Sequence, residues 1–247
     1  MPHLRALFFL VSTVCLVLTA SAAQNAILMV VTNHSQLGTT GKQTGYFLAE
    51  VAHPWHVFQE AGYTVEFASP EGGFAPMDPK SFDLEDPINR EFWHTLNAVE
   101  GVTNTQALET IDPGDYAALF FAGGHGTMWD FPDSPAVTGK IASHYKNGGV
   151  IGAVCHGPAA LVNVKINGKP LVAGRQVAAF TNEEEEAVQL TDQMPFLLES
   201  RLRELGANFV EAPNFQEQIA VDGRLVTGQN PASATATAEA MVERLQR

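Results

Sequence analysis

Apolar residues in this chain fall in short unbroken runs rather than in alternation. Residues 26–32 (A-I-L-M-V-V-T), 116–122 and 150–154 are continuous in this sense. That is the pattern of strands covered on both faces. Residues 63–68 predict a further strand, and 177–180 a short one. Between these lie stretches with helical spacing at 46–61, 134–147 and 194–205. Each ends at a glycine suited to a helix C-terminus (Gly62, Gly148 and Gly206). A closing amphipathic helix is predicted over 232–245. Residues 219–221 and 225–227 predict a hairpin across Asp222-Gly223. Residues 69–114 are rich in Pro, Gly, Asp and Asn, with a short helical piece near 90–98, and predict a long insertion near the site rather than part of the core. Strands alternating with helices predict a single α/β domain: a doubly wound, mainly parallel sheet with helices on both faces. Sites on such sheets lie beyond the carboxyl ends of the strands, which places the chemistry before any motif is named.

The first 22 residues stand apart. Arg5 precedes an uncharged, mostly apolar stretch over 6–20, and Ala20-Ser21-Ala22 offers small residues for cleavage. This is the pattern of a secretory signal peptide, and it is shorter than the ~18–20 residues a spanning helix needs. The expected product is an exported domain over 23–247, periplasmic or secreted, with no membrane attachment after cleavage. The formal charge is −13, and loss of Arg5 with the leader makes it one unit more negative. Such a surface repels nucleic acid and anionic lipid, so neither is an expected partner. The leader also carries Cys15, which leaves Cys155 as the sole cysteine of the expected mature chain. No intrachain disulfide is then possible, and an unpaired thiol in an oxidising compartment is a candidate reactive group.

Cys155 directly follows the strand-like V-I-G-A-V and precedes His156-Gly157-Pro158 and an apolar helical start. That position resembles a nucleophile elbow with sulfur in place of oxygen. Helix N-terminal N–H groups there would favour the thiolate, so a lowered thiol pKa is expected. Gly123-Gly124-His125-Gly126 follows the neighbouring strand. Glycine permits close backbone approach, and the N–H groups of Gly124 and His156 are candidates for an oxyanion hole. A dinucleotide fingerprint fails, because Trp129 stands where the third glycine belongs. Glu50 is the one formally charged residue between Tyr46 and Phe58, and burial in that company would raise its pKa. No histidine follows His156, which excludes a cysteine nucleophile served by a downstream histidine. The base is therefore His156 itself or an upstream histidine, oriented by an acid. The run Glu183 to Glu186 offers that acid, against the usual fate of a charge run as a solvated loop. His53 and His56 have helical ligand spacing, but Pro54 between them spoils a regular helix and no ligand set completes a site, so no metal is expected.

At five segments the chain resembles the ThiJ/PfpI superfamily, of the class I glutamine amidotransferase-like, flavodoxin-like fold. These are T-G-Y-F-L-A-E-V-A-H-P-W, A-G-G-H-G-T-M-W-D-F-P, G-G-V-I-G-A-V-C-H-G-P-A, F-T-N-E-E-E and G-R-L-V-T-G-Q-N-P-A-S-A. Within it the chain is similar to the glutathione-independent glyoxalase branch (glyoxalase III, D-lactate dehydratase). The resemblance implies Cys155 as nucleophile with His156 beside it, Glu50 as the carboxyl near the sulfur, and Glu185, or else Glu184, as partner of His156. It implies turnover of a small reactive 2-oxoaldehyde without metal, nucleotide or glutathione, by a homodimer. Peptidase or protein deglycase activity, a holdase chaperone role and a thiol sensor are the alternatives within the same superfamily. The leader departs from its mostly cytosolic members.

Overall fold

The computed structural model describes residues 25–247, so the expected leader at 1–22 lies outside the described residues. In chain order the first elements are β1 (Ala26–Val30), α1 (Leu48–Glu60), β2 (Thr64–Ser69), α2 (Pro87–His94), α3 (Leu96–Thr103), β3 (Gln106–Ala107) and β4 (Ala118–Phe121). They are followed by α4 (Thr127–Asp130), α5 (Pro135–Lys146), β5 (Val150–Val154), β6 (Lys165–Ile166), β7 (Lys169–Pro170) and β8 (Gln176–Val177). The chain continues with α6 (Asn182–Ala187), α7 (Leu198–Glu204), β9 (Asn208–Phe209), β10 (Ile219–Asp222), β11 (Leu225–Gly228) and α8 (Ala234–Leu245).

Seven strands form the main sheet in the order β10-β11-β5-β4-β1-β2-β3. Every pairing in it is parallel except the β10–β11 hairpin. β1, β4 and β5 are buried along their whole length. Their alternating side chains feed two cores, one on each face of the sheet. Leu28, Val30, Leu119, Phe121 and Ile151 join a cluster with Val137 and Ile141 of α5 and Leu198 and Leu202 of α7. Ile27, Met29 and Phe120 face the other way, against Val51, Trp55 and Phe58 of α1 and Ala238 and Met241 of α8. The α/β arrangement with helices on both faces is therefore as the run pattern predicts.

Helices α2 and α5 start where side chains satisfy their free N–H groups. Ser134 accepts from the Val137 N–H at the start of α5, and Asp86 accepts from the Ile88 and Asn89 N–H groups at the start of α2. In both, proline occupies the first helical position, where no N–H is needed.

Several sequence expectations are corrected. Residues 69–114 are not a mere insertion: they supply α2, α3 and edge strand β3, and bury Phe92, Ala98, Val102, Leu108 and Ile111 in the two cores. Turn-rich composition hid these because each element is short. Pro54 does not end α1, which runs through it with Pro54 buried. Packing of the helix on the sheet outweighs the single hydrogen bond that proline removes. The helix expected over 194–205 begins only at Leu198, and the strand expected over 177–180 pairs only at Gln176–Val177. Residues 183–186 lie in α6, not in a loop.

The chain leaves β1 toward β2 and β3 on one side, and later returns to place β4 on the other side of β1. That reversal, a topological switch point, opens a crevice beyond the strand ends. Gly152 fixes how closely α8 lies beneath this centre. A Cβ there would stand 2.0 Å from the Met241 sulfur and 3.0 Å from the Phe120 ring. Gly152→Ala is therefore expected to overpack the β5–α8 contact by roughly 1–3 kcal/mol. In a thermal melt this should lower the midpoint by about 2–12 °C.

Candidate active site

Cys155 is the first residue after β5, with φ +59°, a left-handed conformation that a non-glycine residue rarely adopts. Its N–H donates to the Gly228 carbonyl at 2.9 Å, and its own carbonyl accepts from the Phe180 N–H at 3.0 Å. Thus β11 and the segment before α6 hold the strained elbow in place. Gly157, two residues on, allows the turn to close: a Cβ there would lie 2.2 Å from the Phe121 carbonyl oxygen.

The turn brings the sulfur to 3.3 Å from His156 Nδ1. The far nitrogen of the same ring, Nε2, lies 2.8 Å from Glu185 Oε2. An ionised carboxylate can only accept, so Nε2 carries the proton and Nδ1 presents its lone pair to the thiol. Glu185 Oε1 takes a second imidazole, His125 Nε2, at 3.0 Å. The two rings lie 4.2 Å apart between centroids, and Phe180 packs 4.5 Å from the His156 ring. His156 is fully buried and Glu185 nearly so.

The acidic run thus resolves into different tasks on one short helix. The Thr181 hydroxyl accepts from the Glu184 N–H, and Glu184 Oε2 accepts in return from the Thr181 N–H, a reciprocal cap. Glu184 Oε1 accepts from the Phe215 N–H, Gln229 Nε2 and Asn230 Nδ2. Glu184 is spent on the scaffold and Glu185 is the one at His156.

Glu50, in the first turn of α1, brings a second carboxyl to the sulfur. It is wholly buried, and neither carboxyl oxygen has a hydrogen-bond partner of ordinary geometry among the described residues. The polar groups that act on it are the Cys155 thiol and the Gly123 N–H. Burial pushes its carboxyl up to about 8, more than those two groups pull it down. Its close approach needs glycine at 123, where a Cβ would stand 2.3 Å from Glu50 Oε2 and 2.8 Å from the His156 nitrogen.

The expected lowering of the thiol pKa is overturned. Burial pushes the Cys155 thiol well up, and the Glu50 carboxyl pushes in the same direction. The helical segment after the cysteine is a five-residue 3₁₀ turn, Gly157–Leu161, too short to supply much dipole. His156 is likewise lowered by burial and by His125, against the pull of Glu185. For Glu185, burial raises the carboxyl, but His156 and the hydrogen bonds from both imidazoles outweigh it and bring it down to about 2. Hydrogen bonds from two rings stabilise that carboxylate even with His156 neutral, so the resting cluster is thiol, neutral His156, protonated Glu50 and ionised Glu185.

Gly124 and His125 lie at the wall. Gly124 has φ +105° and packs tightly on Gly45 and Phe47. Neither its N–H nor that of His156 is used in a backbone hydrogen bond among the described residues. Both residues, with His125, Phe180, Phe215 and the cysteine, line a cavity of about 230 Å³. Linear spacing offers no hint that His125 shares the Glu185 carboxylate, because the two are separated by 60 positions. His125, His156 and Glu185 are also the grouping of described residues whose donor atoms converge enough for a metal, within 4.8 Å of one another. Here each Glu185 oxygen is occupied by an imidazole. His53 pairs with Asp86 and Thr235, and His56 with Glu91, so these two do not converge.

A strained cysteine beyond a central parallel strand, with an imidazole backed by a carboxylate and a second, protonated carboxyl beside it, defines a thiol-centred α/β enzyme. The chain belongs to the DJ-1/PfpI family, whose pattern matches residues 43–244. It is 34% identical to the glutathione-independent glyoxalase hsp3102 of Schizosaccharomyces pombe, over 92% of this chain and 100% of that one. Among solved structures it resembles the 24 kDa Rapid Encystment Protein of Francisella tularensis (39% identity, TM-score 0.87, covering 90% of this chain and 99% of that one). It also resembles glyoxalase III of Candida albicans (30% identity, TM-score 0.83, covering 90% and 98%).

The two carboxyls predict opposite pH behaviour. Glu50 keeps its proton in the fold up to about 8, whereas an unfolded glutamate releases it near ~4.3. Its contribution to stability is thus full below ~4.3 and is lost as pH rises to about 8. Glu185, held down to about 2, contributes above ~4.3 and loses that contribution as pH falls toward about 2. In Glu50→Gln the first slope is absent. Denaturant titrations of variant and wild type from pH 5 to 9 should show the difference shifting in favour of the variant by a few kcal/mol, then levelling.

Proposed function

We propose that this protein is a glutathione-independent glyoxalase that converts a small 2-oxoaldehyde such as methylglyoxal to the 2-hydroxy acid, D-lactate, through a hemithioacetal on Cys155. The observation that carries this reading is the Cys155 thiol at the wall of a cavity of about 230 Å³, 3.3 Å from His156 Nδ1 and acted on by the buried, protonated Glu50 carboxyl. The substrate's aldehyde is consumed and its ketone reduced by an internal shift of hydrogen, with one water added. This needs a thiol, one base and one acid, and all three are present.

His156 Nδ1 takes the thiol proton as sulfur bonds to the aldehyde carbon, and Glu185 stabilises the imidazolium that results. Glu50 gives its proton to the aldehyde oxygen, completing the hemithioacetal and becoming a carboxylate. The Gly124 and His156 N–H groups, which make no backbone–backbone hydrogen bond among the described residues, would hold that oxygen. The Glu50 carboxylate then removes the hydrogen on the former aldehyde carbon, while His156 protonates the ketone oxygen, giving an enediol. Glu50 returns the proton to the second carbon as His156 takes the hydroxyl proton from the first, leaving a thioester. Water attacks the thioester and gives one proton to Glu50. The departing sulfur takes the proton from His156, and the resting state is restored. The thiol that glutathione would supply is contributed by the protein.

Cavity size separates this from a peptidase or deglycase built on the same thiol. Sites that enclose drug-sized ligands occupy roughly 300–1,000 Å³. About 230 Å³ suits a three-carbon dicarbonyl better than a peptide.

Lactate formed from methylglyoxal without glutathione, read by a stereospecific lactate assay, tests the reading. Wild type should give the D isomer, Cys155→Ala none, and Glu50→Gln a rate roughly 10²–10⁴-fold lower. Equal turnover by wild type and Cys155→Ala would overturn it. Export as a homodimer belongs to the same reading. It rests on the leader at 1–22 and on the superfamily resemblance. Among the described residues no helix is long and apolar enough to cross a membrane. N-terminal sequencing of protein from cells that express the full chain should begin at residue 23, and an N-terminus still at Met1 would remove the export proposal.

A further inference from the structure

One wall of the cavity is made in an unusual way. Phe215 lines it, is 48% exposed, and has φ +60°. A bulky residue in the left-handed region is held there only by its surroundings. The restraint is visible: its N–H donates to Glu184 Oε1 at 2.7 Å. Glu184 is itself fully buried and is fixed by Thr181, Gln229 and Asn230. Asn230 also binds the Gln216 carbonyl at 2.7 Å, which secures the backbone on the far side of Phe215. The ring lies 6.3 Å from Phe180, and Phe180 lies 4.5 Å from His156. An aromatic column therefore runs from the base to the surface, and its outermost member is placed by a strained backbone rather than by burial.

From this we infer that Phe215 is the residue that sets the size of the 2-oxoaldehyde admitted to Cys155, and that Glu184 is its positioning residue. The inference rests on the glyoxalase reading for the identity of the substrate, but its geometric content concerns access to the sulfur alone. An apolar ring tied down at the mouth of a small cavity favours a methyl substituent on the dicarbonyl and rejects a phenyl. The ring contributes contact to a small substrate and steric conflict with a large one, so its removal acts on the two in opposite directions.

The experiment uses the full-length protein with Phe215→Ala, Phe215→Gly and Glu184→Gln. Two readouts are taken: kcat and KM for methylglyoxal and phenylglyoxal, and second-order rates of Cys155 alkylation by iodoacetamide and its bulkier N-phenyl analogue. Phe215→Gly removes the backbone strain with the ring, so agreement between it and Phe215→Ala assigns the effect to the ring. Both should raise the phenylglyoxal-to-methylglyoxal ratio of kcat/KM by roughly tenfold or more, mainly through KM. The bulky-to-small alkylation ratio should rise in parallel. Glu184→Gln, if it folds with a wild-type far-UV spectrum, should move both ratios in the same direction by less. If both ratios stay within twofold of wild type in both Phe215 variants, the inference is overturned, whatever the turnover. If neither aldehyde is turned over by wild type but the alkylation ratio rises as expected, the wall assignment holds and the glyoxalase reading fails.

Discussion

The backbone at Cys155 is the constraint on which the site depends. A non-glycine residue at φ +59° costs on the order of 1–3 kcal/mol. The compensation comes from outside, through the Gly228 carbonyl at the end of β11 and the Phe180 N–H ahead of α6. These two bonds hold the elbow that brings the sulfur to the His156 imidazole and the Glu50 carboxyl. The same geometry forces glycine at 123 and 157, because the elbow and its neighbours approach to within a Cβ diameter. Close approach at the elbow thus dictates residue identity both two positions on, at Gly157, and on the neighbouring strand's end, at Gly123.

Around that sulfur two glutamates have opposite charge states for environmental reasons alone. Glu50 is wholly buried and keeps its proton. Glu185 accepts from two imidazoles and loses its own. This division assigns acid and base without any difference in side-chain chemistry. In the proposed reaction it also means that the sulfur becomes reactive by proton transfer to His156 as the carbon–sulfur bond forms, not as a standing thiolate.

Much of this was legible in the sequence. Unbroken apolar runs located β1, β4 and β5, and glycine punctuation located the ends of α1 and α5. Cys155 was identifiable because it follows a buried strand directly, and Glu50 because a lone acid in an apolar helix must be either buried or turned to water. The position of the histidines before or at 156 narrowed the base to His156 or an upstream imidazole. Other features were invisible for physical reasons. The thiol pKa depends on how deeply the sulfur is buried and on how close Glu50 comes, neither of which a linear pattern contains. Pro54 misled because local propensity was outweighed by tertiary packing. The elements within 69–114 were obscured because short helices capped by Asp and Pro have the composition of loops. The family resemblance named Glu185 for His156 with Glu184 as the fallback, but spacing alone could not separate them, because the groups that occupy Glu184 come from Phe215, Gln229 and Asn230.

Parts of the site lie far apart in the chain. Glu50 comes from α1, Gly123 from the end of β4, the cysteine from β5, Glu185 from α6, and the carbonyl that restrains the elbow from Gly228. No contiguous fragment contains them all. A chain that has emerged only as far as β5 carries Cys155 as an ordinary thiol, without its restraint, its proton donor's enclosure or its paired imidazole. Chemical competence is therefore acquired late, when β11 docks beside β5, and is coupled to completion of the sheet rather than to the appearance of the cysteine itself.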